Sequence, residues 1–227
     1  MNKPYYLAYE ERYKKVHSMN IAWFGSRPTL EVLKWVEEYQ IPGNEVILEV
    51  GCGEGRDLIY LAGLGYRVKG VDISPTAIQY CKKLARKREV EIDLLVCDGL
   101  YLVDELGAET FNWIYSVGTL HMLVDQNHRD RFLKNIYQIL KPGGKALLVN
   151  MGDGKEEYIT DKTKAFEEEE RNHPDGVIRV ASTSCRKVNW DYHLRELKKA
   201  GFTVEKQLST ENEEYGKCMT VYLTKES

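Results

Sequence analysis

The chain has 227 residues, 43% hydrophobic and 30% charged, enough apolar material for one soluble globular domain with a small appendage. A net charge of −3 leaves no basic footprint for nucleic acid, and no run approaches the roughly 18 apolar residues of a membrane span. Five scattered cysteines, Cys52, Cys81, Cys97, Cys185 and Cys218, form no C-x-x-C pair and read as reduced thiols of a cytoplasmic protein.

The N-terminal M-N-K-P-Y-Y-L has no apolar core of a signal peptide. Tyr5, Tyr6, Tyr9, Tyr13 and Val16 make a helical stripe, broken at His17-Ser18. A turn-rich link, I-A-W-F-G-S-R-P, leads to a second helix over Thr29–Tyr39, which Ile41-Pro42-Gly43 ends.

The stretch from Val46 to Asp57, V-I-L-E-V-G-C-G-E-G-R-D, reads as a strand covered on both faces, a glycine turn and a helix start. Gly51, Gly53 and Gly55 suit backbone that takes positive φ or lies against a ligand. In a dinucleotide fingerprint, G-x-G-x-x-G, the third glycine comes one residue later, where Arg56 stands here. No G-K-[ST] follows, so there is no P-loop. Glu49, just before the turn, is misplaced beside a pyrophosphate but useful beside an ammonium or sulfonium.

A second strand, Arg67–Val71, ends at Asp72-Ile73-Ser74, about 20 residues past the first glycine. An acid there accepts hydrogen bonds from ribose hydroxyls; Ser74-Pro75 already supplies the cap of the next helix, Ser74–Lys87. The basic run Lys82, Lys83, Arg86, Lys87 and Arg88 reads as that helix's solvated face. A third strand, Ile92–Val96, ends at Cys97-Asp98-Gly99-Leu100, where Asp98 suits an exocyclic amine and Leu100 an adenine ring.

A fourth strand, Phe111–Ser116, runs into V-G-T-L-H-M-L. His121 there is the group with a pKa near neutrality, and it reads either as a general base or as a histidine bonded to backbone. A helix over His128–Leu140, a Lys141-Pro142-Gly143-Gly144 stop and a strand over Lys145–Met151 follow. Gly152–Val180 reads as irregular and polar, with Glu167–Glu170 on a solvated helix face. Val188–Ala200 reads as the last helix. Phe202–Leu208 and Cys218–Thr224 read as strands joined by a charged loop, Ser209–Lys217. The five histidines form no H-x-x-x-H pair, so no metal is expected.

L-E-V-G-C-G-E-G, V-D-I-S, C-D-G-L, Y-S-V-G-T-L-H-M-L and L-K-P-G-G occur in the order and spacing of the class I S-adenosylmethionine-dependent methyltransferases, which the chain from Val46 to about Met151 resembles. The resemblance implies an α/β fold: a doubly wound, mostly parallel seven-stranded sheet with an antiparallel last strand, helices on both faces and an N-terminal helical cap. It implies one domain over 1–227, made of a cap (1–43), a cofactor core (44–151), a lid (152–182) and a C-terminal helix with hairpin (183–227). S-adenosylmethionine would lie against Glu49, Gly51, Cys52, Gly53, Gly55, Arg56, Asp72, Ile73, Asp98, Gly99, Leu100, Ser116 and Val117. Tyr13, Trp23, Phe24, Arg27, His121, His173 and Arg179 would face the acceptor, with Arg27 either reaching the cofactor carboxylate or exposed.

The sequence lacks the Asn-Pro-Pro-Tyr or Asp-Pro-Pro-Tyr motif after the fourth strand, which speaks against nucleic-acid bases and glutamine as acceptors. The expected reaction is in-line methyl transfer to a small molecule with an N, O or S nucleophile. A methyltransferase acting on RNA or protein, and a cofactor-binding module without catalysis, are the alternatives. The oligomeric state is not legible.

Overall fold

The computed structural model describes residues 3–227, so the first two residues of the expected cap lie outside the described residues. A short turn, Tyr5–Leu7, leads into α1 (Ala8–Ser18), and α2 follows at Leu30–Tyr39. Strands and helices then alternate: β1 (Val46–Val50), α3 (Arg56–Gly63), β2 (Arg67–Asp72), α4 (Pro75–Lys87), β3 (Asp93–Val96) and a short α5 (Leu102–Leu106). Next come β4 (Phe111–Val117), α6 (Gln126–Ile139) and β5 (Leu140–Met151). Four short strands, β6 (Tyr158–Ile159), β7 (Glu168–His173), β8 (Gly176–Ala181) and β9 (Arg186–Lys187), precede α7 (Trp190–Ala200), β10 (Thr203–Asn212) and β11 (Gly216–Thr224).

Seven strands form one sheet in the order β3-β2-β1-β4-β5-β11-β10. β11 runs antiparallel to both β5 and β10; the other six run one way. The winding reverses between β1 and β4, which opens a crevice at their carboxyl ends. Both faces of the sheet are covered. Ile47, Tyr115, Leu147 and Val149 pack with Trp35, Leu58 and Ile78 of α2, α3 and α4. Leu48, Ile114 and Leu148 pack with Phe132, Ile136 and Leu197 of α6 and α7. Neighbours along a strand thus face opposite layers, and each fully buried aliphatic contributes roughly 1.5–3 kcal/mol. Ser74 caps α4, its Oγ accepting from the Ala77 N–H at 3.0 Å, with Pro75 in the first turn.

Two expectations need correction. The acidic run is not on a helix face: it opens β7, which pairs with β8 in an antiparallel hairpin. Ile178 and Val180, two residues apart on β8, point inward against Val16 of α1, so the period is that of a strand. The expected loop over 209–217 is mostly strand, because β10 continues to Asn212 and β11 starts at Gly216. β10 is an edge strand, and an edge tolerates the charged and polar side chains that made this stretch look like a loop. Among the described residues, no helix is long and apolar enough to cross a membrane.

Candidate cofactor and acceptor site

The turn after β1 is tied to β2, with the Gly51 and Cys52 N–H groups donating to the Val71 carbonyl at 2.8 and 3.0 Å. Gly53 has φ +52°, and a Cβ there would lie 2.6 Å from the Tyr13 hydroxyl. Gly55 has φ +80°, and its Cβ would lie 2.1 Å from Cys81 Sγ. These contacts explain the third glycine's early place: α3 starts where α4 presses against the turn. Asp72, at the end of β2, accepts from the Gly53 and Ser74 N–H groups, both at 2.8 Å. Burial pushes its carboxyl up to about 6, against the lowering pull of those two bonds. Its oxygens keep free lone pairs toward the crevice. Asp98, at the end of β3, accepts from the Leu100 N–H at 2.9 Å and from the Tyr6 hydroxyl at 3.2 Å.

These groups line a cavity at the carboxyl ends of the parallel strands, the usual place for a small-molecule site in such a sheet. Tyr6, Tyr9 and Tyr13 reach it from the N-terminal turn and α1, Phe24 from the link and Tyr215 from the β10–β11 turn. Glu49 is buried in its wall and receives one hydrogen bond, from the Tyr115 hydroxyl at 2.9 Å. Burial, with the nearby Asp57 charge, pushes its carboxyl well above the usual range. A carboxylate in that condition is stabilised by a cation, so the spot suits an ammonium group.

The roof is held by carboxylates. Glu54 accepts from the Trp23 and Phe24 N–H groups at 2.8 and 3.1 Å and pairs with His17 Nε2 at 2.7 Å. Glu10 of α1 accepts from the Thr76 hydroxyl at 2.7 Å and from the Ser74 hydroxyl. Asp57 holds the start of α2 through the Thr29 N–H and hydroxyl, at 2.6 and 2.8 Å. Arg12, buried between the Tyr9 and Trp23 rings, donates to the Ala181 and Ser182 carbonyls at 2.7 Å each and so binds α1 to the hairpin. α1 and the β7–β8 hairpin, separate stretches of sequence, pack together. Glu54→Ala is expected to speed hydrogen exchange at the Trp23 and Phe24 amides by about tenfold or more, since hydrogen bonds to a charged group contribute about 1.5–3 kcal/mol. Unchanged exchange, read by NMR, would show that Glu54 does not hold the roof.

Of the residues expected around the cofactor, Glu49, Gly51, Cys52, Gly53, Gly55, Arg56, Asp72, Ile73, Asp98, Gly99, Leu100 and Val117 line the cavity. Ser116 does not: its hydroxyl donates to the Val50 carbonyl at 2.7 Å and ties β4 to β1. Tyr13 and Phe24 line the same cavity. The other residues expected on the acceptor side lie outside the cavity lining, Arg27 exposed and His121 bonded to backbone as their alternative readings had it. Trp23 turns its ring toward Arg12. The Arg27 side chain is 81% exposed and pairs with Glu213. His173 Nε2 bonds to the Ala22 carbonyl at 2.8 Å, joining hairpin to link. Arg179 is mostly exposed beside Glu168. His121 is fully buried outside the lining, and its Nδ1 accepts from the Met151 N–H at 3.3 Å. Burial, with the Arg129 and Lys187 charges, pushes its imidazole down to about 3, so it is uncharged at neutral pH. Sequence reasoning missed Tyr6, Tyr9, Phe132 and Tyr215. The tyrosine stripe was a signal for the first two; Tyr215 has none nearby.

The family model described as Methyltransferase domain matches residues 47–144. EEF1A lysine methyltransferase 2 of Homo sapiens is 28% identical over 152 residues, 64% of each chain, so the match spans just under two thirds of that protein. The 2-heptyl-1-hydroxyquinolin-4(1H)-one methyltransferase of Mycobacteroides abscessus is 39% identical over 66 residues, 29% of this chain and 28% of that one. Among solved structures, the Burkholderia thailandensis 1,6-didemethyltoxoflavin-N1-methyltransferase superposes with a TM-score of 0.68 at 18% identity, over 100% of this chain and 92% of that one. That likeness is one of fold.

Proposed function

We propose that the chain is a class I S-adenosylmethionine-dependent methyltransferase, a reading supported by the methyltransferase-domain match over residues 47–144, and that it moves the cofactor's methyl group to a small-molecule acceptor by in-line displacement. The residues present fit the cofactor. Glu49 makes no ion pair and suits the ammonium; the Gly51–Gly55 turn admits a chain close to backbone; Asp72 suits the ribose hydroxyls; Asp98, Leu100 and Phe132 suit adenine. When bound, the cofactor supplies a methyl group already activated by a positive sulfur. The chain's own work is to orient both partners and exclude water, and such positioning supplies roughly 7–11 kcal/mol.

The roof carries the small-molecule reading: Tyr9 against Met122, and Phe24 against Tyr215, which itself abuts Gly118, close over the part of the cavity that follows β4, where an acceptor would enter. A second reading, transfer to a protein lysine, draws support from the name of the human relative. Incubation with methyl-labelled S-adenosylmethionine, once with pooled small amines, phenols and thiols and once with a protein extract, separates them. Label in the small-molecule fraction supports the first reading; label confined to protein overturns it in favour of the second.

A further inference from the structure

Adenine, ribose and methionine sites at the ends of β3, β2 and β1 leave the acceptor the space toward β4. Tyr9, Tyr13, Phe24, Thr119, Met122 and Tyr215 line that end. None of them carries a charge at neutral pH. Burial pushes the Tyr9, Tyr13 and Tyr215 phenols up from their ordinary value, so none is a base. His121 packs edge-on against Tyr215, at 5.3 Å between ring centroids, from outside the lining. Arg56 is the one cation lining the cavity among the described residues. It is engaged: Nη1 pairs with Glu214, Nη2 donates to Thr29 Oγ1 at 2.7 Å, and Nε lies 3.6 Å from Asp57.

This lining discriminates among nucleophiles. A carboxylate or phosphate finds no free cation, and the lining carboxyl groups oppose it. An alcohol or phenol at that end finds no base among these six residues, the lining carboxyl groups being those assigned to the cofactor and the roof. A thiol reacts as thiolate, an anion the same surroundings disfavour. An amine needs neither help once it has entered in its uncharged form, having left its proton to solvent, because the free lone pair is then nucleophilic. Positive charge then passes from sulfur to nitrogen without disappearing, and aromatic faces attract a cation at both ends of that path.

From this lining we infer, resting on the methyl-transfer reading above, that the acceptor is an uncharged amine nitrogen of a molecule bearing no negative charge. The nitrogen lone pair forms the N–C bond as the C–S bond breaks. The electron pair of that bond stays on sulfur, now a neutral thioether, and the ammonium product gives its extra proton to water.

The test is calorimetric, on the full chain saturated with S-adenosylhomocysteine and titrated with tetramethylammonium chloride or with sodium acetate. Tetramethylammonium is expected to bind saturably and acetate not. Tyr215→Leu should weaken tetramethylammonium binding about tenfold while Tyr215→Phe retains it, since the ring face does the binding. No binding of tetramethylammonium, or acetate binding as tightly, overturns the inference. Failure of the chain to bind S-adenosylhomocysteine overturns the methyl-transfer reading instead.

Discussion

Asp72→Ala is expected to weaken S-adenosylmethionine binding by about 10–150-fold. Removing a charged hydrogen-bond acceptor costs about 1.5–3 kcal/mol, and each 1.4 kcal/mol is about tenfold in affinity. The structure places a second effect in the same direction, because the Gly53 and Ser74 N–H groups lose their acceptor and the glycine turn loses its anchor to β2. Titration calorimetry at neutral pH reads the loss, and an unchanged dissociation constant would withdraw the ribose role from Asp72.

The same group gives the affinity a pH dependence. Hydroxyls that donate to a carboxylate favour its charged form, so binding draws the Asp72 pKa below about 6 and releases protons near that pH. Affinity should therefore fall as pH drops through 6. In the free protein the sign is opposite. A carboxyl raised from an ordinary value near 3.8 contributes stability that is fully present below that value and lost as pH rises through about 6.

Arg129→Ala is expected to destabilise the fold by about 3–5 kcal/mol, the usual result of leaving a buried charge without its partner. For a chain of this length that lowers the melting temperature by roughly 6–20 °C. Both side chains of the Arg129–Glu196 pair are 2% exposed. The guanidinium donates to Glu196 through Nε at 2.9 Å and Nη2 at 2.5 Å, and His193 Nδ1 lies 2.7 Å from the same carboxylate. Burial alone would raise the Glu196 pKa, but the bonds from His193 and Arg129 and the Arg129 charge hold it down at about 2. A carboxylate depressed in this way contributes stability that is present above its ordinary value near 4.5 and lost as pH falls toward 2.

Arg129 also acts on the site, because Nη1 donates to the Leu120 carbonyl at 2.9 Å and lies 3.4 Å from that of Leu123. Those carbonyls bracket Met122, which lines the acceptor end. A melting loss below about 1 kcal/mol would show the pair to be dispensable. The double variant Arg129→Met, Glu196→Leu should recover most of the loss, since it removes the unpaired charge along with its partner.

The strand-end floor of the cavity was legible because its signals are local. The strand Val46–Val50, the turn glycines, and Asp72 and Asp98 at strand ends each occupy a few consecutive residues, and backbone sterics and strand period leave few other readings. The hairpin over Glu168–Ala181 was not legible, because its inward residues Ile178 and Val180 are few and their partner, Val16, is far away in the chain. The edge strand β10 was hidden by charges that an edge can carry.

What the sequence determined by itself is therefore the fold class and the floor of the site, built from short-range choices of residue. The tertiary structure decided the roof and the chemistry of the acceptor end. It brought Tyr6 to Asp98 across 92 residues, set the Tyr215 hydroxyl where a Gly118 Cβ would be, and turned His121 and Arg27 away from the cavity. Contacts of that range depend on how whole elements pack, and packing leaves no periodic mark near the residues it joins.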